Sequence, residues 1–270
     1  MMDANSTLIT KGPLLTAENI HSFRGKQKVL SDINFWISEG EFVCLCGPNG
    51  CGKSTLFSVL SALKSEGLKT KGEVYFQGKN IKKMKAGERA RKISILLQNE
   101  NCVWDFYVED VILSGRYPWN GGTSTYSDID REKVHDIMES LGIKKLSGKK
   151  IFQISGGEWQ KVRIARILVQ DAKVMLLDES LANLDFGFEN EMLDFLKNYA
   201  ISEKKGICLT LHDLNIAARF ASRICFLPKG GQLISGTVNE VYTAEVLEAV
   251  YGKRFNIFEH PELKIPQVWA

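Results

Sequence analysis

The chain has 270 residues, of which 44% are hydrophobic and 25% are charged, and its formal net charge is +3. This composition is typical of a globular protein with a substantial core. The near balance of charge argues against a nucleic-acid partner and against a membrane-surface role for the chain itself. No apolar run approaches the roughly 20 residues that span a bilayer, and the first residues lack a secretory signal pattern. We therefore expect a cytosolic chain whose membrane role, if it has one, depends on a partner.

The cysteines are predicted to be small buried residues rather than disulfide partners or metal ligands. Cys44, Cys46, Cys208 and Cys225 lie inside apolar runs. Cys44 and Cys46 have the spacing of a ligand pair, but no second pair stands at ligand spacing. We expect no metal site at these residues.

The first part of the chain predicts antiparallel strands around one buried strand. Residues 29–40 (VLSDINFWISEG) and 72–78 (GEVYFQG) are typical of antiparallel edge strands. Residues 41–47 (EFVCLCG) are short and apolar and end in glycine, as strands buried on both faces do.

Three later stretches have the same buried-strand character, at residues 92–98, 173–179 and 206–212. Helical patterns follow most of them, and this alternation predicts an α/β fold with a parallel sheet. Residues 224–236 are predicted to form a hairpin that turns at PKGG.

Between Gln98 and Gln170 the buried-strand runs stop, and three stretches predict helices. We expect an inserted helical subdomain at about residues 99–170, within a single domain over residues 1–255. Residues 256–270 are predicted to be an irregular C-terminal tail, and no role is assigned to them.

The stretch GPNGCGKST fits the P-loop pattern between a predicted strand and a predicted helix. Its glycines let backbone N–H groups surround phosphate oxygens, Lys53 reaches the β- and γ-phosphates, and the Ser54 hydroxyl binds Mg²⁺. On its own the motif indicates a nucleoside triphosphate and leaves kinases, GTPases and ATPases open. The residues predicted to bind ATP here are Gly47, Pro48, Asn49, Gly50, Cys51, Gly52, Lys53, Ser54 and Thr55.

Polar side chains end the other buried strands. Asp178 and Glu179 suggest one carboxylate for metal and one for water, although without the P-loop a solvated acidic pair would be the better interpretation. Gln98 could bind metal or position water, and His212 could contact a γ-phosphate. Each of these last two residues, taken alone, is at least as readily explained by a structural role.

The stretch ISGGEWQ, residues 154–160, begins a predicted helix. Small residues at a helix start leave its first N–H groups bare, which favours an anion. No lysine stands beside the glycines, so the stretch predicts half of a phosphate site.

The order of these motifs resembles the ATP-binding subunit of ABC transporters, from about Phe23 to His212 and more diffusely to about Phe255. ISGGEWQ is the most specific part, because it is similar to the family's signature motif. The resemblance implies a P-loop NTPase (RecA-like) core that binds ATP and Mg²⁺, with Glu179 as catalytic glutamate. It also implies a head-to-tail homodimer with two ATP molecules at the interface. By resemblance, the catalytic residues are Lys53, Gln98, Glu179 and His212; the metal ligands are Ser54, Gln98 and Asp178; and the residues that bind the partner's ATP are Ser155, Gly156, Gly157, Gln160 and Asp185.

The chain departs from the family pattern at several positions. Ser180 stands where Pro is usual, Ile154 replaces Leu, and Trp159 replaces a polar residue. The family stacks an aromatic ring on adenine, and Phe23 is the nearest candidate, although its spacing to the following strand is one residue long.

Two longer stretches, residues 108–119 and 212–241, resemble importers of ferric siderophores, haem and cobalamin through their GRYP and HDLN motifs. This implies a peripheral subunit at the cytoplasmic membrane face, with permease subunits and an external solute-binding protein as partners. Trp104, Phe106 and Tyr107 are either permease contacts or core residues of the helical subdomain. Two alternatives remain: a soluble ABC ATPase for assembly, such as iron–sulfur cluster biogenesis, and an importer of a different small solute.

Overall fold

A computed structural model describes residues 12–98, 104–121, 125–181 and 186–269. Its central sheet has six strands: β3 (Phe42–Cys46), β6 (Ile93–Leu96), β7 (Val174–Leu177), β8 (Gly206–Thr210), β9 (Arg223–Phe226) and β10 (Ile234–Gly236). They lie in the order β10-β9-β3-β8-β7-β6. The strands from β9 to β6 are parallel and β10 is antiparallel to β9. The predicted buried strands and the predicted hairpin are confirmed.

A second sheet has four strands: β1 (Leu15–Arg24), β2 (Gln27–Ile37), β4 (Leu68–Phe76) and β5 (Lys79–Asn80). It is antiparallel, in the order β2-β1-β4-β5. The prediction of antiparallel strands at residues 29–40 and 72–78 is confirmed, and β2 is an edge strand as predicted. The predicted edge position of residues 72–78 is wrong, because β4 lies between β1 and β5. One apolar core lies between this sheet and the parallel sheet, and it includes Phe35, Leu45 and Phe57.

The first helix, Lys53–Leu60, packs into the core between the two sheets. Later helices, which include Phe186–Ser202 and Leu214–Phe220, cover the other face of the parallel sheet, and further helices form the segment between β6 and β7. None of the described helices is long and apolar enough to cross a bilayer. The helices are α1 (Lys53–Leu60), α2 (Ala86–Ala90), α3 (Val108–Leu113), α4 (Asp128–Ser140), α5 (Gly156–Val169), α6 (Phe186–Ser202), α7 (Leu214–Phe220), α8 (Val238–Val241) and α9 (Ala244–Tyr251).

The GRYP motif fastens α3, α4 and α5 together. It lies in a 3₁₀ helix, Ser114–Trp119, directly after α3. Arg116 is buried, and its guanidinium donates to Asp130 Oδ1 at 2.7 Å and to the Val169 carbonyl at 2.9 Å. A Cβ on Gly115 would overlap the Arg166 carbonyl oxygen, so only glycine allows this approach to α5. The motif therefore has a structural role in the helical segment.

The C-terminal tail is not irregular, and that prediction is wrong. Residues 256–269 form a two-stranded antiparallel ribbon of β11 (Asn256–Glu259) and β12 (Pro266–Trp269). Ile257 and Val268 pack against the main core. Pro266 is the first residue of its strand, where a missing N–H is tolerated, so its presence did not exclude a strand.

Candidate functional site

Four neighbouring strands of the parallel sheet bring the predicted site residues to one edge. The P-loop follows β3, His212 follows β8, the Asp178–Glu179 pair follows β7, and Gln98 follows β6. Because β3, β8, β7 and β6 are adjacent and parallel, their carboxyl ends meet at the same edge, which is where ligands bind in sheets of this kind.

The P-loop is a tight turn whose glycines are required by the fold. Gly52 caps α1 with φ +113°, and a Cβ there would lie 2.9 Å from Leu30 Cδ2. Because no side chain caps α1, its first N–H groups are available to an anion. Lys53 is buried, and its Nζ donates to the Gly47 carbonyl at 2.8 Å. The lysine charge therefore lies inside the loop.

A cleft of about 470 Å³ opens beside this loop. Arg24, Gln27 and Val29 line this cleft together with P-loop residues, whereas Phe23 is not among the described residues that line it. Phe23 lies on β1 and is paired with Lys28 and Lys69 across the sheet. The distance in sequence from Phe23 to the following strand is one residue longer than in the family pattern. This extra residue was a signal that Arg24, rather than Phe23, lines the cleft. The lining residues are Arg24, Gln27, Val29, Asn49, Gly50, Gly52, Lys53, Ser54, Thr55, Gln98 and Glu179.

The Glu179 carboxylate lies between Gln98 and His212. Gln98 Nε2 donates to Glu179 Oε2, and His212 Nε2 lies 3.0 Å from Glu179 Oε1. The Glu179 backbone has φ +44°, a conformation that is uncommon for residues other than glycine and that concentrates at functional sites. Three residues from three adjacent strands thus meet in one hydrogen-bonded group.

Thr210 is hydrogen-bonded to both Asp178 and Glu179, and the sequence analysis did not identify it as a site residue. Its hydroxyl donates to Asp178 Oδ1 at 3.1 Å and accepts from the Glu179 backbone N–H at 2.7 Å. Thr210 is the last residue of β8, adjacent to β7, so the signal was its place at a strand end.

The oxygen donors at this edge fit Mg²⁺. Asp178 is 1% exposed, and a buried carboxylate is costly unless a cation or hydrogen bonds compensate its charge. Ser54 and Gln98 both line the cleft. Hydroxyl, carboxylate and amide oxygens are the hard ligands that Mg²⁺ prefers.

The signature stretch begins α5 with a capping box. The Ser155 hydroxyl accepts from the Glu158 N–H at 3.2 Å, and the Glu158 carboxylate accepts from the Ser155 N–H at 3.0 Å. That backbone N–H of Ser155 holds the pKa of the Glu158 carboxyl below its ordinary value. A Cβ on Gly156 or Gly157 would meet no described atom within 4 Å. The small size of these glycines is therefore not required by packing within the described chain.

One predicted partner-site residue, Gln160, differs from Ser155 in its placement, and another, Asp185, falls outside the described part of the chain. Gln160 is buried and donates to the Ser180 carbonyl, so its side chain points into the chain rather than out of it. Asp185, with the rest of residues 182–185, lies outside the described residues.

Comparison with known proteins decides the family. The family model described as ABC transporter matches residues 30–182. The chain belongs to the ABC transporter ATP-binding family. It is 35% identical over 256 residues to the ferric enterobactin transport ATP-binding protein FepC of Escherichia coli (strain K12), with 94% of this chain and 93% of that protein covered. It is 32% identical to the iron(3+)-hydroxamate import ATP-binding protein FhuC of Bacillus subtilis (strain 168), with 93% of each chain covered.

Solved structures agree with this assignment. A dimeric ATP-binding cassette bound to ADP and Pi, in a post-hydrolysis state, is 26% identical with a TM-score of 0.71, covering 83% of this chain and 98% of that one. A nucleotide-free cassette from an ABC transporter shares the fold, with a TM-score of 0.76, 24% identity, and coverage of 90% and 100%. The protein is therefore an ATP-binding ABC ATPase with a P-loop NTPase fold.

Proposed function

We propose that this ATPase drives import of a metal chelate, such as a ferric siderophore, haem or a cobalamin-like molecule, through separate permease subunits. The names of its relatives, which cover more than nine-tenths of the chain, support this class of solute. An external solute-binding protein would deliver the chelate. The chain would lie at the cytoplasmic face of the membrane, bound to the permease.

The Glu179 carboxylate between Gln98 and His212 is the observation that carries the mechanism. A carboxylate at the mouth of the phosphate cleft can orient and polarise the attacking water. Lys53 would exchange the Gly47 carbonyl for phosphate oxygens and stabilise the charge that develops on the γ-phosphate. His212, which already contacts Glu179, would donate to the same phosphate.

Ser54, Gln98 and Asp178 are the residues that would hold Mg²⁺. The ion would neutralise phosphate charge when bound. Thr210 keeps the Asp178 carboxylate oriented by its hydrogen bond to Oδ1.

Two copies of the chain would enclose two ATP molecules head to tail. Gly156 and Gly157 support this arrangement, because a glycine within a helix costs about 1 kcal/mol relative to alanine and nothing in the described chain requires it here. Their open surface fits a phosphate held by the partner's P-loop. Ser155 would contact that phosphate at the same helix start, and Asp185 remains a predicted contact.

The permease would dock on aromatic side chains of the helical segment. Trp104, Phe106 and Tyr107 are 70%, 50% and 50% exposed, so the alternative that they are core residues is wrong. Phe152 is 65% exposed. It lies close to Phe106, because the N–H of the preceding residue, Ile151, donates to the Phe106 carbonyl at 3.0 Å. Exposed aromatic side chains of this kind act as anchors at protein interfaces.

Reconstitution tests the proposal. The chain and candidate permease subunits are placed in proteoliposomes, and ATP-dependent uptake of a ferric siderophore, haem and cobalamin is measured, with Glu179→Gln as the inactive control. We expect ATP-dependent uptake of one of these three solutes. We also expect that the double variant Trp104→Ala, Phe106→Ala no longer co-purifies with the permease. ATPase activity without permease binding or uptake would instead favour a non-transport ATPase, and uptake of another solute would contradict the chelate.

A further inference from the structure

The C-terminal ribbon is joined to the helix that follows His212. Asn215, in the first turn of α7, contacts Val268 on β12 through both atoms of its side-chain amide. We propose that Asn215 is a positioning residue that holds His212 against Glu179 by fastening α7 to the open edge of the ribbon. The proposal rests on the catalytic role proposed above for His212.

The Asn215 amide takes the place of a neighbouring strand. Within the described chain β12 pairs only with β11, so its other edge is open. Asn215 Oδ1 accepts from the Val268 N–H at 2.8 Å, and Nδ2 donates to the Val268 carbonyl at 3.2 Å. The Asn215 amide therefore makes the same two hydrogen bonds to Val268, one to its N–H and one to its carbonyl, that an opposite residue makes in an antiparallel strand pair. Peptide groups at a strand edge need partners, and here a side chain supplies them.

The same amide is also held from the core. Tyr242, which is buried, donates from its hydroxyl to Asn215 Oδ1 at 3.3 Å. Burial raises the pKa of Tyr242 well above its ordinary value, so the hydroxyl keeps its proton. Asn215 is therefore fixed between the core and the ribbon.

Asn215 is connected to His212 through the cap of α7. The Asp213 side chain accepts from the Asn215 N–H at 2.8 Å and from the Ile216 N–H at 3.0 Å. His212 directly precedes this cap, and its Nε2 contacts Glu179 Oε1 at 3.0 Å. The hydrogen bonds between Asn215 and Val268 therefore fix the chain three residues after His212, and the Asp213 cap connects the two positions.

α7 depends on such an anchor because it is short. A helix of seven residues is not stable by itself, so tertiary contacts decide where it lies. Leu214, Ala217 and Phe220 bury its core side, and Asn215 holds its ribbon side. A displacement of about 1 Å at a catalytic group can cost up to a hundredfold in rate, which makes the helix start a sensitive position.

Steady-state kinetics test the catalytic part of the proposal. Asn215→Leu removes both bonds to Val268, whereas Asn215→Asp keeps the acceptor and loses the donor. We expect kcat to fall about tenfold in the leucine variant and less in the aspartate variant, with the KM for ATP changed less than about twofold. Phe258→Ala is the matched control, because Phe258 lies on the same ribbon and is largely exposed. It should leave kcat unchanged.

Ring ¹⁵N NMR spectra separate positioning from general damage. The chain has four histidines, and His212→Gln identifies the His212 signal. In Asn215→Leu this signal should shift or broaden while those of His21 and His135 stay in place. An unchanged His212 signal, an unchanged kcat, or equal changes at all histidines would each overturn the proposal. If His212→Gln retained full ATPase activity, the catalytic role of His212 would be wrong, while the NMR comparison would still test the anchor.

Discussion

The side-chain amide of Gln160 donates a hydrogen bond to the carbonyl of Ser180, the residue after Glu179. Arg163 donates to Gln160 Oε1 at 2.8 Å and also to the carbonyl of Leu97, the residue before Gln98. The helix that begins with the signature motif is therefore hydrogen-bonded to the chain next to Glu179 and next to Gln98, which are themselves hydrogen-bonded to each other. Both donors are buried, and such networks are costly to leave half satisfied.

Gln160→Leu should destabilise the fold and lower kcat together. The substitution removes the donor to the buried Ser180 carbonyl and the acceptor that lies 2.8 Å from Arg163, at a cost of about 1–3 kcal/mol in the free energy of unfolding. Denaturant unfolding and phosphate release measure the two effects. A variant with normal stability that had lost only the affinity for the partner's ATP would instead support an outward role for Gln160.

Glu179→Gln should abolish turnover and preserve ATP binding. The amide keeps the shape of the side chain but loses the charge that polarises water, so we expect kcat to fall at least about a hundredfold. Phosphate release and nucleotide binding are measured on the same sample, with Glu132→Gln, an exposed site on α4, as the control. Hydrolysis near the wild-type rate would assign the catalytic base to another residue.

Gly157→Ala should make the chain more stable and less active. The added Cβ has open space within the described chain and replaces a helical glycine, so unfolding should cost up to about 1 kcal/mol more. The same methyl group would obstruct a phosphate held by a second copy. Gly87→Ala in α2, where a Cβ also meets nothing, is the matched control and should stabilise without loss of ATPase activity. Equal activity in both variants would remove the case for a partner's phosphate at Gly157.

Ser155→Arg should block dimer closure and hydrolysis. The Ser155 side chain is exposed at the start of α5, and a long cation there would obstruct approach of a second copy. Binding of ATP to the P-loop should persist, as measured by nucleotide titration of the monomer. Ser140→Arg, exposed near the end of α4, is the control. If hydrolysis is undiminished, Ser155 acts only as the cap of its helix.

The base of the nucleotide should contact Arg24 rather than Phe23. Arg24 lines the cleft, and a planar guanidinium, like an aromatic ring, can stack on the face of a base. Arg24→Ala should weaken ATP binding about fivefold, equal to roughly 1 kcal/mol, and Phe23→Ala should change it little. The opposite order of effects in nucleotide titration would restore Phe23.

The parts of the site that the sequence predicted are those that the parallel sheet dictates. Lys53, Asp178, Gln98 and His212 each follow a buried strand, so a correct strand pattern was enough to bring them together. The inward direction of Gln160 could not be predicted in this way, because a helix residue's environment depends on which elements pack against it. The C-terminal ribbon escaped prediction for a related reason: its strands are short, and their pairing with each other and with Asn215 is a tertiary contact.

Acid should weaken the helical segment through Asp130. Burial acts against ionisation of this carboxyl, but its hydrogen bonds from Arg116 and Ser127 hold its pKa below the ordinary value. A carboxyl with a lowered folded-state pKa adds stability above its unfolded pKa of about 4, and this stability is lost as the pH falls through the folded pKa. Unfolding measured from pH 7 to pH 3 should show that loss below about pH 4. Asp130→Asn should remove this loss of stability below about pH 4. It should also lower the free energy of unfolding at pH 7 by about 3 kcal/mol, because Arg116 stays buried without its carboxylate. A variant with unchanged acid dependence would show that other carboxylates govern it.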